Sequence, residues 1–391
     1  MKTKYFYTLL SILLVLTSCD NGLKYYNGVY IKGAEGADPA ITVSLDENLP
    51  KNVELVVAAS EIAKEDITVE LIADESYVEK YNKKFQTKYS MLPESCFVIN
   101  EPVSKIAKGN FATTESVELS IISTADMVEG RRYIVPVAIK SANGYNIIDG
   151  SDVVYVKIDQ QIITTALNLG NNTLNLNFHE ENPNSKYNPK ALPEVTFEAR
   201  VFINNLGQFN TIFGLEENLT VRVSSYGGAN GKIQIAGGGT EFASANPFPL
   251  KKWTHVALSY NYTSKFLTLY VDGEPWISSS FSRSADFDKP LDITRAYEGG
   301  WREGPMYIGR SANGRPLNGA VSEVRIWARA LTQAEVKSNM CAVDPTEPGL
   351  MGYWKLNDNK AVSTFEESSG VGYTATMSGS AKWIDKVKCP E

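Results

Sequence analysis

Short runs in which apolar and polar residues alternate, each closed by Gly, Asn or Asp, recur along most of this chain. The run Val195-Thr196-Phe197-Glu198-Ala199-Arg200-Val201-Phe202-Ile203 is a clear case. Ile41–Leu45, Val53–Ala58 and Ile67–Leu71 repeat the pattern nearer the N-terminus. A strand sends successive side chains to opposite faces, so a period of two predicts half-buried strands. The chain is therefore expected to be mainly β. Helical spacing is confined to Glu75–Phe85, where Tyr77, Val78, Tyr81 and Phe85 recur, and to Leu331–Val336, with Thr332 as cap and Glu335 three residues on. With 391 residues, two or three domains are expected at roughly 100–200 residues each.

The N-terminus reads as an export signal. Lys2 and Lys4 precede an apolar run from Leu9 to Leu16, too short to span a bilayer, which takes about 20 apolar residues. Leu16-Thr17-Ser18-Cys19 follows and resembles a lipobox, in which cleavage leaves a lipid-bearing cysteine. Residues 1–18 are expected to be removed, Cys19 to carry lipid, and residues 19–24 to form a tether. A lipid anchors a protein to a membrane without spanning it.

Residues 25–159 carry several short strands, ending in Tyr133–Ile139 and Val153–Ile158, and suggest an immunoglobulin-like β-sandwich. Tyr133-x-x-Pro136-Val137-x-Ile139, Gly144 and the Val153-Val154-Tyr155-Val156 strand resemble a domain of unknown function near the N-terminus of many Bacteroidetes surface lipoproteins. That resemblance implies a spacer or partner-docking module. Cys96, with no neighbouring His or Lys, is expected to be a buried free thiol.

Residues 162–389 hold a second series: Phe197-Glu198-Ala199; Trp253-Thr254-His255-Val256-Ala257; Leu269-Tyr270-Val271-Asp272-Gly273; Tyr307-Ile308-Gly309; Glu323-Val324-Arg325-Ile326-Trp327 within an alternating run from Gly319; and Gly349–Trp354. In this order they resemble the laminin-G/pentraxin-like branch of the concanavalin A-like jelly rolls. The resemblance implies two antiparallel sheets packed face to face, with ligands on one face and its rim loops. His255 and the tryptophans Trp253, Trp327, Trp354 and Trp383 are expected to be packed structural residues. Cys341 and Cys389 flank the last strands, and a disulfide between them would clip the C-terminus to the sandwich in an oxidising compartment.

Composition narrows the function. With 38 Lys and Arg against 45 Asp and Glu, the net charge is −7, which argues against nucleic-acid binding. Two histidines and no Cys-x-x-Cys leave little material for a zinc site. Catalytic relatives of the jelly roll place carboxylates on one strand as Glu-x-Asp-x-x-Glu, a spacing missing from the strand candidates. Glu216-Glu217 and Glu366-Glu367 are adjacent, and adjacent residues on a strand face opposite ways.

Ligand contacts are expected from Trp276, at the end of the strand after Asp272-Gly273, and from Tyr297, Trp301 and Arg302 in the long Phe281–Pro305 connection. No cofactor is expected, with calcium left open. Were calcium to bind, Asp286, Asp288 and Asp292 would be its candidate ligands, although their spacing is not that of an EF-hand. Anchor, spacer and lectin-like domain together suggest a surface-exposed outer-membrane lipoprotein. Its expected role is to capture polysaccharide or glycoprotein glycan without catalysis, alongside an uptake complex. The alternatives are an adhesion or scaffold protein with a protein partner, and a glycoside hydrolase.

Overall fold

The computed structural model describes residues 27–46, 48–160, 162–179, 182–283, 288–294, 306–311 and 314–389. Cys19 and the signal region lie outside the described residues. The chain divides into two compact units, the first holding most residues up to Asp159 and the second holding Gln160 onward together with Tyr81–Tyr89 and Met127–Arg132.

The first unit is antiparallel β. One sheet has the order Ala40–Leu45, Val153–Gln160, Arg132–Ser141, Ile67–Ala73, Val103–Ile106. A second has Lys51–Leu55, Val117–Ile121, Phe97–Asn100. The apolar members of the alternating runs, among them Val69, Leu71, Leu119, Val135 and Val156, are buried, as the immunoglobulin-like reading requires. The expected helix spans Ser76–Phe85. Cys96 is a buried free thiol.

The second unit is a sandwich of two eight-stranded antiparallel sheets. The first sheet runs Glu274–Ser280, Phe266–Val271, Trp253–Asn261, Glu194–Ile203, Gly319–Trp327, Ile162–Gly170, Lys382–Cys389, with Leu350–Trp354 also paired to Gly319–Trp327. The second runs Thr240–Pro247, Lys232–Gly237, Leu219–Ser224, Phe209–Leu215, Met306–Ile308, Leu174–Leu176, Thr374–Met377, Thr364–Glu366. Between them Phe197, Ala199 and Val201 from one sheet share a core with Phe213, Val221 and Ile235 from the other. Phe197 and Phe213 meet with ring centroids 5.7 Å apart. Gly214 is required in this packing, because a Cβ there would stand 1.7 Å from the Arg310 carbonyl oxygen.

Two local expectations hold in detail. Asp272 and Gly273 form a two-residue turn, both with positive φ (47° and 75°), between the paired residues Val271 and Glu274. The helix Gln333–Ser338 begins with a reciprocal capping box, Thr332 and Glu335 each bonding the other's backbone N–H. The helix brings Val336 onto the outer face of the first sheet, where it joins Trp327, Leu331, Leu350 and Tyr353 in a second, smaller core. The Cys341–Cys389 disulfide closes with Cα atoms 5.4 Å apart, within the span that a bridge allows.

The alternation in Gly319–Trp327 is broken. Val321, Val324 and Ile326 all face the core between the sheets, which a regular strand cannot arrange. The pairing with Glu194–Ile203 shifts here: Arg200 faces Ser322 whereas Glu198 faces Arg325. The extra residue is a β-bulge, with Glu323 at φ 54°.

Candidate functional site

Two polar groupings stand out in the second unit, and burial separates their roles. The first lies under the helix on the first sheet. Glu198 sits at the centre: Trp327 Nε1 donates to its Oε2 at 2.6 Å, and Arg325 Nη1 and His255 Nε2 lie 3.6 and 3.4 Å from its two oxygens. Burial alone would raise the Glu198 carboxyl, but Arg325, His255 and Trp327 outweigh it and hold the group below its ordinary range. His255 is pushed down by burial more than Glu198 raises it, so it stays neutral near pH 7. Glu198 and Arg325 are 0 % exposed and His255 3 %, so no substrate reaches them and the group is structural, as expected of His255.

The second grouping is open and lies on the outer face of the second sheet. In Leu219–Ser224 the core takes Leu219, Val221 and Val223, which leaves Thr220 and Arg222 facing outward. Arg222 faces Gln234 across the pair, and Ala236 faces Glu241 on the next strand. Arg222 Nε donates to Gln234 at 3.2 Å and its Nη2 to Glu241 at 2.9 Å. Two turns wall off one end. Glu216, Glu217 and Asn218 join Leu215 to Leu219, with Glu217 at φ 63°. Gly238 and Gly239, at φ 57° and 81°, make the neighbouring hairpin turn, and Gly238 N donates to Glu217 O at 2.7 Å.

The result is a cleft of 340 Å³ lined by Glu216, Glu217, Thr220, Arg222, Glu241 and Arg315, among others. Arg315 Nη1 donates to Glu216 Oε1 at 3.0 Å. Glu216 Oε2 and Thr220 Oγ1 are buried with no hydrogen-bond partner among the described residues. Buried oxygens of this kind normally have partners. Arg315 also lines an adjoining cleft of 320 Å³, with Asn171, Asn205, Gln208, Phe209 and Asn318. Both volumes fall in the lower part of the range for ligand pockets, roughly 300–1,000 Å³. The guanidinium groups of Arg222 and Arg315 lie 4.6 and 4.8 Å from the Phe209 ring centroid, and Tyr226, 61 % exposed, lies beside that ring at 5.4 Å.

Sequence reasoning pointed elsewhere. Tyr297, Trp301, Arg302 and Asp286 lie outside the described residues. Trp276 does not end its strand. The two-residue turn lets the strand resume at Glu274, so Trp276 is third in Glu274–Ser280, half-buried against the core. Asp288 pairs with Lys265, and Asp292 accepts hydrogen bonds from Thr294 N and Oγ1. Glu216 and Glu217 occupy a turn, not a strand, so the argument that sends neighbours to opposite faces does not apply and both line one cleft. Trp253, Trp327 and Trp354 are buried as expected, whereas Trp383 is half-buried and donates to Lys360 O at 2.8 Å. Part of the Phe281–Pro305 segment does meet the cleft wall: Arg283 Nη2 donates to Asn218 Oδ1 at 2.8 Å, and its side chain packs on Gly238.

The sandwich, its motif order and its open cleft define a lectin-type jelly roll. Residues 180–337 match the laminin G family model of the concanavalin A-like lectin/glucanases superfamily. A second family model, for an N-terminal domain, matches residues 25–146. A crystal structure from Bacteroides ovatus, provisionally described as a carbohydrate-binding protein, is 24 % identical. It superposes with a TM-score of 0.65 over 92 % of this chain and 98 % of its own. It shares the fold. A pentraxin from Limulus polyphemus is 13 % identical over 54 % of this chain and 95 % of its own, at a TM-score of 0.31. EndoBT-3987 from Bacteroides thetaiotamicron is 18 % identical over 34 % of this chain and 30 % of its own, at 0.29. Neither of these two bears on function. No curated protein matches the sequence.

Proposed function

We propose that this is a lipid-anchored, surface-exposed glycan-binding protein of the outer membrane that captures polysaccharide or glycoprotein glycan for an uptake complex. The observation that carries the reading is the cleft on the second sheet. It offers charged and hydroxyl groups with oxygens that have no partner among the described residues, guanidinium donors fixed by carboxylates, and an exposed tyrosine ring alongside. Sugars present hydroxyl rims and apolar faces, which such a set can bind together. The Bacteroides ovatus protein's description and the Leu16–Cys19 sequence agree with this reading. Tyr297, Trp301 and Arg302 are proposed to add contacts from the connection that starts at Phe281.

A glycan array with the purified chain from Asp20 onward tests it. Binding that Arg315→Ala abolishes supports the reading, and an array without signal overturns it. Three carboxylates on one cleft, Glu216, Glu217 and Glu241, favour a glycoside hydrolase as the second reading. Reducing sugar released from the bound glycan would establish that one instead.

A further inference from the structure

Resting on that reading, we infer that the ligand is an uncharged oligosaccharide of at least two residues lying across both clefts, with Arg315 between them and Glu216 selecting for hydroxyl groups.

The two clefts differ in chemistry. The larger is lined by three carboxylates (Glu216, Glu217, Glu241) and two guanidinium groups (Arg222, Arg315), a balance of −3 + 2 = −1. Glu216 Oε2, without a partner among the described residues, is an acceptor with no proton of its own when ionised, so it takes a donor from the ligand. The hydroxyl of Thr220, likewise without a partner among the described residues, both donates and accepts. A sugar hydroxyl satisfies either. A carboxylate or sulfate on the sugar would set like charges together in a partly desolvated site, which is costly.

The adjoining cleft has no carboxylate in its lining and is edged by the amides of Asn171, Asn205, Gln208 and Asn318. Amides donate and accept equally, which suits a second neutral residue. Arg315 lines both clefts, and its five N–H donors exceed the bond to Glu216 that holds its orientation among the described residues. A single sugar fills one cleft and leaves the other empty. Affinity is therefore expected to rise with chain length from one to two or more residues.

Calorimetric titration with neutral gluco-, galacto- and manno-oligosaccharides of one to six units, set against uronic-acid oligosaccharides of the same lengths, tests the inference. At least one neutral series is expected to bind about tenfold tighter as a tetramer than as its monosaccharide, and the uronic acids to bind at least tenfold more weakly. Glu216→Gln is expected to weaken neutral binding and to narrow the gap to the uronic acids. Glu241→Gln, at an exposed position on the same cleft, is expected to narrow that gap while keeping the melting temperature. A monosaccharide that binds as tightly as its tetramer, or uronic acids preferred by the wild-type chain, would overturn the inference while leaving glycan binding intact. If no member of either series binds, glycan arrays being also blank, the functional reading itself falls.

Discussion

The Tyr353 hydroxyl donates a 2.5 Å hydrogen bond to Glu323 Oε2 in the covered layer beneath the helix, where Tyr353 is 0 % and Glu323 4 % exposed. The bond fixes the residue at the bulge of Gly319–Trp327, and Arg325 Nη2 lies 3.4 Å from the same oxygen. Burial raises the Glu323 carboxyl to about 7, against the pull of Arg325 and of the Tyr353 bond.

That shift gives a pH signature. Folded Glu323 holds its proton more tightly than the unfolded chain, whose ordinary value is 4.5. Its contribution to stability is full below 4.5 and is lost as pH rises through about 7. At 1.36 kcal/mol per unit the loss is about 3 kcal/mol. Glu198 and His255 are shifted downward and act in the opposite sense, weakening the fold as pH falls. Comparison with Glu323→Gln isolates the Glu323 part. Wild type should lose about 3 kcal/mol relative to the variant between pH 4.5 and 7.5 in urea titrations. A difference that stays constant across that window would sink the assignment.

Glu198→Ala should destabilise the second unit by about 3–5 kcal/mol, because it strands Arg325 in a dry layer and frees Trp327 Nε1. Urea midpoints with an unchanged slope would measure this. Glycan binding by the fraction still folded should be normal, since the cleft lies on the other sheet. A loss of less than 1 kcal/mol would show that the layer readmits water.

Reduction of Cys341–Cys389, 48 residues apart, should cost about 4 kcal/mol in the chain-entropy model. The paired Ser variant, followed by thermal melting, gives the value free of reductant. No change in melting temperature would mean that the pairing of Lys382–Cys389 with Ile162–Gly170 holds the C-terminus unaided.

Trp301→Ala is expected to weaken glycan binding with near-normal melting, as a ring at the ligand would. Loss of a few kcal/mol of stability instead would make Trp301 a core residue. Mass spectrometry of the native N-terminus is expected to find Cys19 first and lipid-modified. Any other starting residue refutes the anchor.

Patterns of period two and local turn chemistry were legible because each depends on neighbours in sequence. The alternating runs named in each unit, the Asp272-Gly273 turn, the Thr332 cap and the buried face of Val195–Ile203 all follow from residues within a few positions of one another, whereas the four strands between Phe209 and Pro247 were not read. The Cys341–Cys389 pairing was also within reach, since few cysteines were available and two flanked the closing strands. By contrast, the bulge at Glu323 left only a trace, the step Val321-Ser322-Glu323-Val324, in which alternation slips by one residue. Reading that step as regular alternation hides the turn of Glu323 to the covered outer face. The candidate cleft was less legible still. Thr220, Arg222, Gln234 and Glu241 look in sequence like the solvent side of ordinary strands, and Arg315 lies about 75–100 residues from them. The sequence by itself thus determined the β-sandwich class, the faces of its regular alternating runs and the capped helix, because local sterics and burial set them. Tertiary structure alone decided that Glu216, Thr220 and Arg315 share one cleft while Glu198, His255 and Arg325 share one dry layer. Which charges meet depends on the order of strands across a sheet, and that order is set by long-range pairing that no local pattern records.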